Sequence, residues 1–332
     1  MAQFGDGEMI NGAQGAEVLF LVPRTGDLAS SLALLARRLE ARMMPLPEEG
    51  RRWRLLQGLR RALREAETVV SFCPEGHVLS VLAGGRGVRR VFVQSAPPMP
   101  GEDRAARLFW RLLPWLARRG MLAAPTPMMR RNLAARAGTD DVLHLPLPVA
   151  LPEPLPAVGD LRERAPLVLF PGALKRAHQP GLAVKAMRHL PEEVRLVLSG
   201  EGESARALRH MVDGLGLARR VRWLAPGEDW RDWLARARVA CLPARFAPWV
   251  PQAVLALAHG LPLVGTETPG LHALLADCPD CGTMVDMTDD RALAAALAHW
   301  LKAPGEGAPR QARARQYAPE AVAKCWRQAI NP

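Results

Sequence analysis

The chain has 332 residues, a length that accommodates about two domains, and it is 49% hydrophobic and 23% charged. This composition excludes an intrinsically disordered chain, a collagen-like chain and a small disulfide-stapled protein. The formal net charge is +11, yet only four of the 44 basic residues are lysine, a bias typical of GC-rich coding sequences. The charge alone therefore identifies no partner.

Neither a secretory signal nor a membrane span is recognisable in the sequence. Residues 1–17 have no basic start followed by an apolar stretch, and no later run of about 18 residues is wholly apolar. We therefore expect a cytoplasmic protein in which residues 1–15 form a flexible tail.

The cysteines indicate neither a disulfide framework nor a metal site. Five cysteines are too few, and odd in number, for a framework of disulfides. Cys278 and Cys281 have the spacing of half a zinc site, but no second pair of ligands accompanies them. We expect no metal and no bound cofactor.

Residues 16–148 alternate apolar runs with segments of helical period, which is typical of a parallel sheet covered on both faces by helices. The predicted strands are residues 18–22, 68–72, 90–93, 121–124 and 142–145. The predicted helices are residues 28–42, 51–66 and 103–120, the last interrupted by Pro114. These elements predict a first Rossmann-like domain.

A proline-rich stretch, residues 146–166, separates the two halves of the chain. Six prolines lie between residues 146 and 166, and proline is disfavoured both inside helices and in central strands. We assign residues 149–166 to a hinge.

Residues 167–316 repeat the alternation and predict a second Rossmann-like domain. The predicted strands are residues 167–170, 194–198, 221–224, 239–242 and 263–265. The predicted helices are residues 181–189, 204–214, 229–236, 251–259 and 290–301. Residues 317–332 predict a terminal helix, with a crossing back to the first domain as one option. The expected fold is α/β, with two domains facing a cleft and ligands at the carboxyl ends of the strands.

Short motifs follow one another in a fixed order along residues 167–304. They are Phe170-Pro171-Gly172, Leu196 to Gly202, Gly214 to Leu224, Leu242-Pro243, Ala258 to Thr266 and Pro269-Gly270-Leu271. In order and spacing this part of the chain resembles the donor domain of the retaining group 1 glycosyltransferases, which have the GT-B fold. The resemblance implies transfer of a sugar from a nucleotide-diphosphate donor to a glycan, lipid-linked or other acceptor.

The sequence departs from this family at four charged positions. Ala173 and His178 stand where the family has an arginine and a lysine that contact the donor phosphates. Ala247 and Leu255 stand where the family has two glutamates, one beside the reacting sugar and one on the ribose. An alternative therefore stays open, a catalytically inactive relative that acts as a binding or scaffolding partner, for example of an active glycosyltransferase.

Other residues are suited to take over these contacts. The candidates for binding the donor phosphates are Gly172, Lys175, Arg176, His178, Arg245, Thr266, Thr268 and Gly270. Those facing the nucleotide or sugar are Gly200, Glu201, Trp249 and Gln252, and those on the acceptor side are Thr25, Gly26, Gln94 and Ser95. For each charged residue the alternative is a solvated surface side chain, and for Trp249 it is a ring that plugs the cleft.

A helix rich in arginine and tryptophan, residues 103–120, is suited to lie on an anionic membrane, as peripheral proteins do on its inner face. The alternative is that its aliphatic stripe packs on the first sheet and the arginines cover it. No nucleic-acid-binding motif is present, and the basic residues are spread over several segments. We therefore expect no nucleic-acid partner.

Overall fold

The structure is a computed structural model that describes residues 18–23, 28–46, 52–85, 87–94, 104–198, 202–225 and 227–330. The side chains of residues 52–56 and 104–109 are not described. The chain divides into two compact units, one formed by Met1–Ala150 with Tyr317–Pro332 and the other by Leu151–Gln316.

The first unit contains a six-stranded parallel sheet in the order β2-β1-β3-β4-β5-β6. The strands are β1 (Val18–Pro23), β2 (Arg42–Leu46), β3 (Thr68–Ser71), β4 (Arg89–Val93), β5 (Met121–Ala124) and β6 (Val142–His144). The helices are α1 (Ala29–Arg38), α2 (Arg52–Glu65), α3 (Pro74–Leu82), α4 (Arg104–Ala117) and α5 (Pro127–Ala137). Most of the strand side chains are buried because helices cover both faces of the sheet.

The prediction of a helix over residues 28–42 is wrong beyond Arg38. Glu40 has a left-handed backbone (φ 53°), which ends α1, and residues 42–46 then pair with β1 as an edge strand. Because β2 lies at the edge of the sheet, it tolerates Pro45, which has no N–H group to donate. Two further helices, α3 and α5, were not predicted, and both have proline in their first turn.

Pro114 does not interrupt α4, in contrast to the prediction. Its side chain is exposed, and on the outer face of a helix the carbonyl that proline leaves unpaired can be solvated.

The second unit contains another six-stranded parallel sheet, in the order β12-β11-β10-β7-β8-β9. The strands are β7 (Leu167–Phe170), β8 (Arg195–Leu198), β9 (Val221–Trp223), β10 (Val239–Leu242), β11 (Leu263–Thr266) and β12 (Gly282–Val285). The helices are α6 (Pro180–Ala186), α7 (Ala205–Gly214), α8 (Pro251–Ala258), α9 (Pro269–Leu275), α10 (Asp290–Lys302) and α11 (Ala308–Arg315).

Several predicted elements of the second unit differ in type or extent. The predicted helix 181–189 is α6 followed by a 3-10 turn, and the predicted helix 229–236 is the 3-10 helix Trp230–Trp233. The strand β12 and the helices α9 and α11 were not predicted. Both α9 and α11 have proline in their first turn, and β12 is only four residues long and half-buried, so its hydrophobic signal is weak.

The terminal helix α12 (Pro319–Ile330) packs in the first unit. The fully buried Trp326 contacts the rings of Phe20 and Phe72, and its indole N–H donates to the carbonyl of Pro146 at 2.7 Å. The last residues of the chain therefore complete the core that the first 150 residues begin.

Candidate functional site

The strand order of the second sheet places β7 and β10 side by side. The chain runs from β7 to β8 and β9 on one side and returns to β10, β11 and β12 on the other. Such a point of reversal opens a crevice at the carboxyl ends of the two strands, which is where doubly wound sheets bind ligands. The loops that follow these strands are the β7 loop (residues 171–179) and the β10 loop (residues 243–250).

The β7 loop is folded tightly onto the end of its strand. A Cβ atom at Gly172 would lie 3.1 Å from the ring of Phe170, so the glycine permits a close packing. The backbone N–H of Lys175 donates to the carbonyl of Ala173 at 2.8 Å, and that of Arg176 donates to Glu203 Oε1 at 2.9 Å. These bonds fix the loop backbone from which Lys175, half-buried, and Arg176, exposed, project.

Two of the four departures from the family pattern contact each other in this loop. His178 Nδ1 lies 2.9 Å from the carbonyl oxygen of Ala173. Because a carbonyl oxygen only accepts, Nδ1 donates this hydrogen bond. His178 therefore holds the loop through one nitrogen and keeps the other for a different contact.

The β10 loop is bonded to the β7 loop. The backbone N–H of Arg245 donates to the carbonyl of Ala177 at 2.8 Å. Arg245 is exposed. This bond brings the backbone of Arg245 beside the loop that carries Lys175, Arg176 and His178, so basic residues from two separate segments lie at the neighbouring ends of β7 and β10.

Three predicted phosphate-binding residues have structural roles instead. Thr266 is fully buried, and its Oγ1 accepts from the N–H of Ala244 at 2.7 Å and donates to the carbonyl of the same residue at 2.5 Å. Thr268 caps α9 by accepting from the N–H of Leu271 at 3.3 Å. Both hydroxyls are buried and bonded within the protein, so neither side chain is open to a phosphate.

Gly270 also has a structural role. Its N–H donates to the carbonyl of Ala247 at 2.8 Å, and a Cβ atom there would lie 2.7 Å from Val250. The amide predicted to form part of an anion nest is therefore used to hold the β10 loop against α9.

The side chains predicted to face the sugar differ in their exposure. Trp249 is 8% exposed, so its ring face does not lie open to a sugar. Gln252, in the first turn of α8, is half-buried, as are Ala247 and Leu255. Because residues three apart share a helix face, Gln252 and Leu255 lie on the same side of α8.

Gln179 belongs to the site, but the sequence did not indicate it. Its backbone is left-handed (φ 45°, ψ 47°), a conformation that disfavours residues with a Cβ atom. Its Oε1 is buried, with no hydrogen-bond partner in the part of the chain that the structure describes. Glutamine has no preference for this conformation, so no local pattern could have revealed it.

The predicted acceptor-side residue Gln94 is buried, 4% exposed, at the end of β4. It hydrogen-bonds His77, whose Nδ1 lies 2.6 Å from Ser71 Oγ. Burial lowers the pKa of His77 to about 3, against the opposing effect of the Gln94 hydrogen bond, so the ring is neutral near pH 7. The prediction that Gln94 faces an acceptor is wrong because its amide partners a core histidine.

Several other predicted residues lie outside the described residues. These are Thr25, Gly26, Ser95, Gly200 and Glu201, together with residues 1–15 of the predicted tail.

The described part of α4 packs inward. Leu113 and Leu116 are fully buried in a cluster with Met129 and Leu133 of α5, and Trp110 packs against the same cluster. The arginines that are described lie outside this stripe. For this part of α4, the structure agrees with the alternative in which the aliphatic stripe packs inward and the arginines lie outside it. Asp103 and the side chains of residues 104–109 are outside the described residues.

Cys278 and Cys281 are joined by a disulfide. Among the residues described, no group of three or more His, Cys, Asp or Glu side chains could hold a metal ion, and no helix is long and apolar enough to cross a membrane.

Residues 165–303 match the family model of the glycosyl transferases group 1. A D-inositol 3-phosphate glycosyltransferase of Xylanimonas cellulosilytica is 35% identical over 167 residues, 47% of this chain and 40% of the relative. The lipopolysaccharide core biosynthesis glycosyltransferase LpsE of Rhizobium meliloti is 29% identical over 133 residues, 40% of this chain and 38% of the relative. The chain thus spans about two fifths of the length of these curated relatives.

Solved structures resemble the whole chain. HepE of Anabaena, in complex with UDP and glucose, has a TM-score of 0.74 at 13% identity, covering 95% of this chain and 99% of HepE. The lipopolysaccharide outer core galactosyltransferase WaaB has a TM-score of 0.76 at 12% identity, covering 94% of this chain and 98% of WaaB. At such low identity these likenesses establish the fold, and that fold is GT-B.

Proposed function

Since residues 165–303 match the family model of the glycosyl transferases group 1 and the chain has the GT-B fold, we propose that this protein transfers a sugar from a nucleotide-diphosphate donor. The observation that carries the proposal is the bond between Arg245 N–H and the Ala177 carbonyl. It gathers basic side chains from the β7 and β10 loops at the strand ends where a donor phosphate would lie.

The basic residues supply what the chemistry needs. When the bond between the sugar and the diphosphate breaks, negative charge develops on the departing phosphate oxygens. Lys175, Arg176 and Arg245 stabilise that charge, in place of the family residues replaced by Ala173 and His178. The proposed transfer needs no metal, because guanidinium and ammonium groups neutralise the diphosphate.

The sugar and ribose contacts are proposed to differ from those of the family. Neither Ala247 nor Leu255 offers a carboxylate to a hydroxyl group. Gln252 lies on the same face of α8 as Leu255, and its amide both donates and accepts hydrogen bonds. We assign the hydroxyl contact to Gln252. For the acceptor, the names of the relatives support a polyol phosphate or a lipid-linked glycan.

The test is calorimetric titration with UDP, GDP, ADP and CMP and with their sugar conjugates. We expect one nucleotide to bind, and the double variant Lys175→Ala/Arg176→Ala to raise its Kd at least about tenfold, because each charge-assisted contact contributes about 1.5 to 3 kcal/mol. The matched control is Lys185→Ala/Arg188→Ala. It also removes one lysine and one arginine, both exposed, from the end of α6 and from the 3-10 turn that follows, and should leave the Kd unchanged.

If no nucleotide or nucleotide sugar binds, the transferase proposal fails, and the non-catalytic binding or scaffolding role that the missing charges suggest takes its place. If a nucleotide binds but both double variants weaken it equally, the assignment of Lys175 and Arg176 to the phosphates is wrong.

A further inference from the structure

The first unit has a cavity of about 390 Å³ at the amino ends of β4, β5 and β6. It lies at the opposite edge of the sheet from the strand ends at which such folds hold their substrates. Four arginines line it, namely Arg89, Arg90, Arg118 and Arg119, against a single carboxylate, Asp141. The charge of the lining is therefore strongly positive.

Two of these arginines form a fixed wall. Arg90 donates to the carbonyls of Ser80 at 3.2 Å, Val88 at 3.1 Å and Gly84 at 2.6 Å, and burial lowers its pKa. Arg89 donates to the carbonyl of Ile330 at the end of α12. Carbonyl oxygens hold these guanidinium groups in place without cancelling their charge, so the wall keeps its positive potential.

The other two arginines are held less tightly. Arg118 and Arg119 are exposed in the turn after α4, and the Arg119 guanidinium lies over the Trp115 ring, 4.1 Å from its centroid. Stacking of this kind orients a guanidinium and leaves its N–H edge free for an anion. Within the described residues, no ion pair links any of the four arginines to a carboxylate.

Gly120 lets the turn that carries Arg118 and Arg119 approach β4, which carries Arg89 and Arg90. A Cβ atom at this position would lie 2.6 Å from the carbonyl oxygen of Arg90. Any other residue would therefore push the turn that carries Arg118 and Arg119 away from β4. The close approach is built into the backbone and does not depend on flexible side chains.

We propose that this cavity binds a phosphate ester. Converging guanidinium groups match the oxygens of a phosphate in geometry and in charge. The volume lies within the range of small-molecule sites and leaves room for the group attached to the phosphate. Leu82, 58% exposed, lies in the chain between Ser80 and Gly84, both of which bind Arg90. An exposed apolar side chain on the segment whose carbonyls hold Arg90 suits the headgroup and glycerol region of an anionic lipid, whereas a soluble phosphate ester would use the cavity alone.

The experiment compares the full-length protein with the variant Arg118→Ala/Arg119→Ala. Both side chains are exposed, so the fold should survive, which the melting temperature verifies. The control variant Arg60→Ala/Arg64→Ala removes the same charge from exposed positions of α2. Each protein is titrated with glycerol 3-phosphate and with inorganic phosphate. Each is also floated with vesicles of phosphatidylglycerol and, as the neutral reference, of phosphatidylcholine.

We expect the cavity variant to lose at least about tenfold in affinity for one phosphate ligand, while the control stays within about twofold of the unmodified protein. Loss confined to the phosphatidylglycerol vesicles identifies a lipid headgroup as the ligand, and loss confined to the soluble phosphates identifies a free ester. The proposal is overturned if neither form binds, or if the control variant loses as much as the cavity variant. None of these outcomes depends on nucleotide binding in the second unit.

Discussion

In the β7 loop, Gln179 combines a left-handed backbone with a buried side-chain oxygen that has no hydrogen-bond partner among the described residues. A left-handed backbone costs a residue with a Cβ atom about 1 to 2 kcal/mol, and the buried amide oxygen, which has no partner among the described residues, adds to that cost. Such strain persists when the surrounding structure imposes it, and it concentrates at functional loops.

Replacing Gln179 by glycine should therefore raise the free energy of unfolding by up to about 1 kcal/mol, measured in urea, because glycine adopts this backbone without strain. At the same time we expect weaker nucleotide binding, since glycine loosens the loop that carries Lys175 and Arg176. Glu40→Gly is the matched control. Glu40 is also left-handed (φ 53°) but lies in the first unit, so this change should stabilise the protein without altering nucleotide affinity. A destabilised Gln179→Gly protein would show that the side chain contributes contacts that outweigh the strain.

The helix α11 is held to the second unit by a fully buried arginine. Arg310 is 0% exposed and donates to the carbonyls of Gly260 at 2.8 Å, of Asp280 at 2.7 Å and of Pro304. It lies over the ring of Trp300, and burial lowers its pKa to about 10. One side chain thus connects α11 to the turn after α8, to the turn before β12 and to the segment after α10.

Arg310→Met should lower the free energy of unfolding by about 3 kcal/mol or more, because three buried carbonyls lose their donor. Arg310→Lys keeps the charge but not the planar fork, and should cost less than the methionine variant. The exposed Arg315 on the same helix serves as control, with Arg315→Ala expected to change stability by no more than about 0.5 kcal/mol. Equal effects at positions 310 and 315 would contradict the anchoring role.

The whole molecule is organised so that its last helix completes its first unit. Trp326 is fully buried against Phe20 and Phe72, whereas the core of the second unit consists of its own residues. Because each unit has a separate core, a substitution that destabilises the core of the first unit should leave the second unit folded.

Trp326→Ala should cost about 3 to 5 kcal/mol, as other large-to-small changes in cores do. Hydrogen exchange followed by mass spectrometry should show loss of protection in β1 and β3, while β7 and β10 stay protected. Lys324→Ala, at an exposed position of α12, should change neither. Faster exchange in both sheets would mean that the two units unfold together.

The long apolar runs, such as β7, β10 and α12, were predictable because burial on both faces of a sheet, or on one face of a helix, leaves a strong hydrophobic pattern. The edge strand β2, the helices α3, α5, α9 and α11 and the half-buried strand β12 were not predicted, because these elements are short and β2 contains a proline, so their periodic patterns are weak. The position of the site followed from the alternation of strands and helices and from the family motifs.

The sequence by itself determined that two parallel sheets form, and it predicted motifs that resemble a group 1 donor domain, with departures from that family pattern at four charged positions. The tertiary structure alone decided how the remaining polar groups are used. Thr266, Thr268 and Gln94 became internal partners, the arginines at positions 89, 90, 118 and 119 converged on one cavity, and Arg245 came to lie beside the β7 loop. The physical reason is that hydrogen bonding, burial and counter-charge depend on neighbours distant in the chain, which a local pattern does not encode.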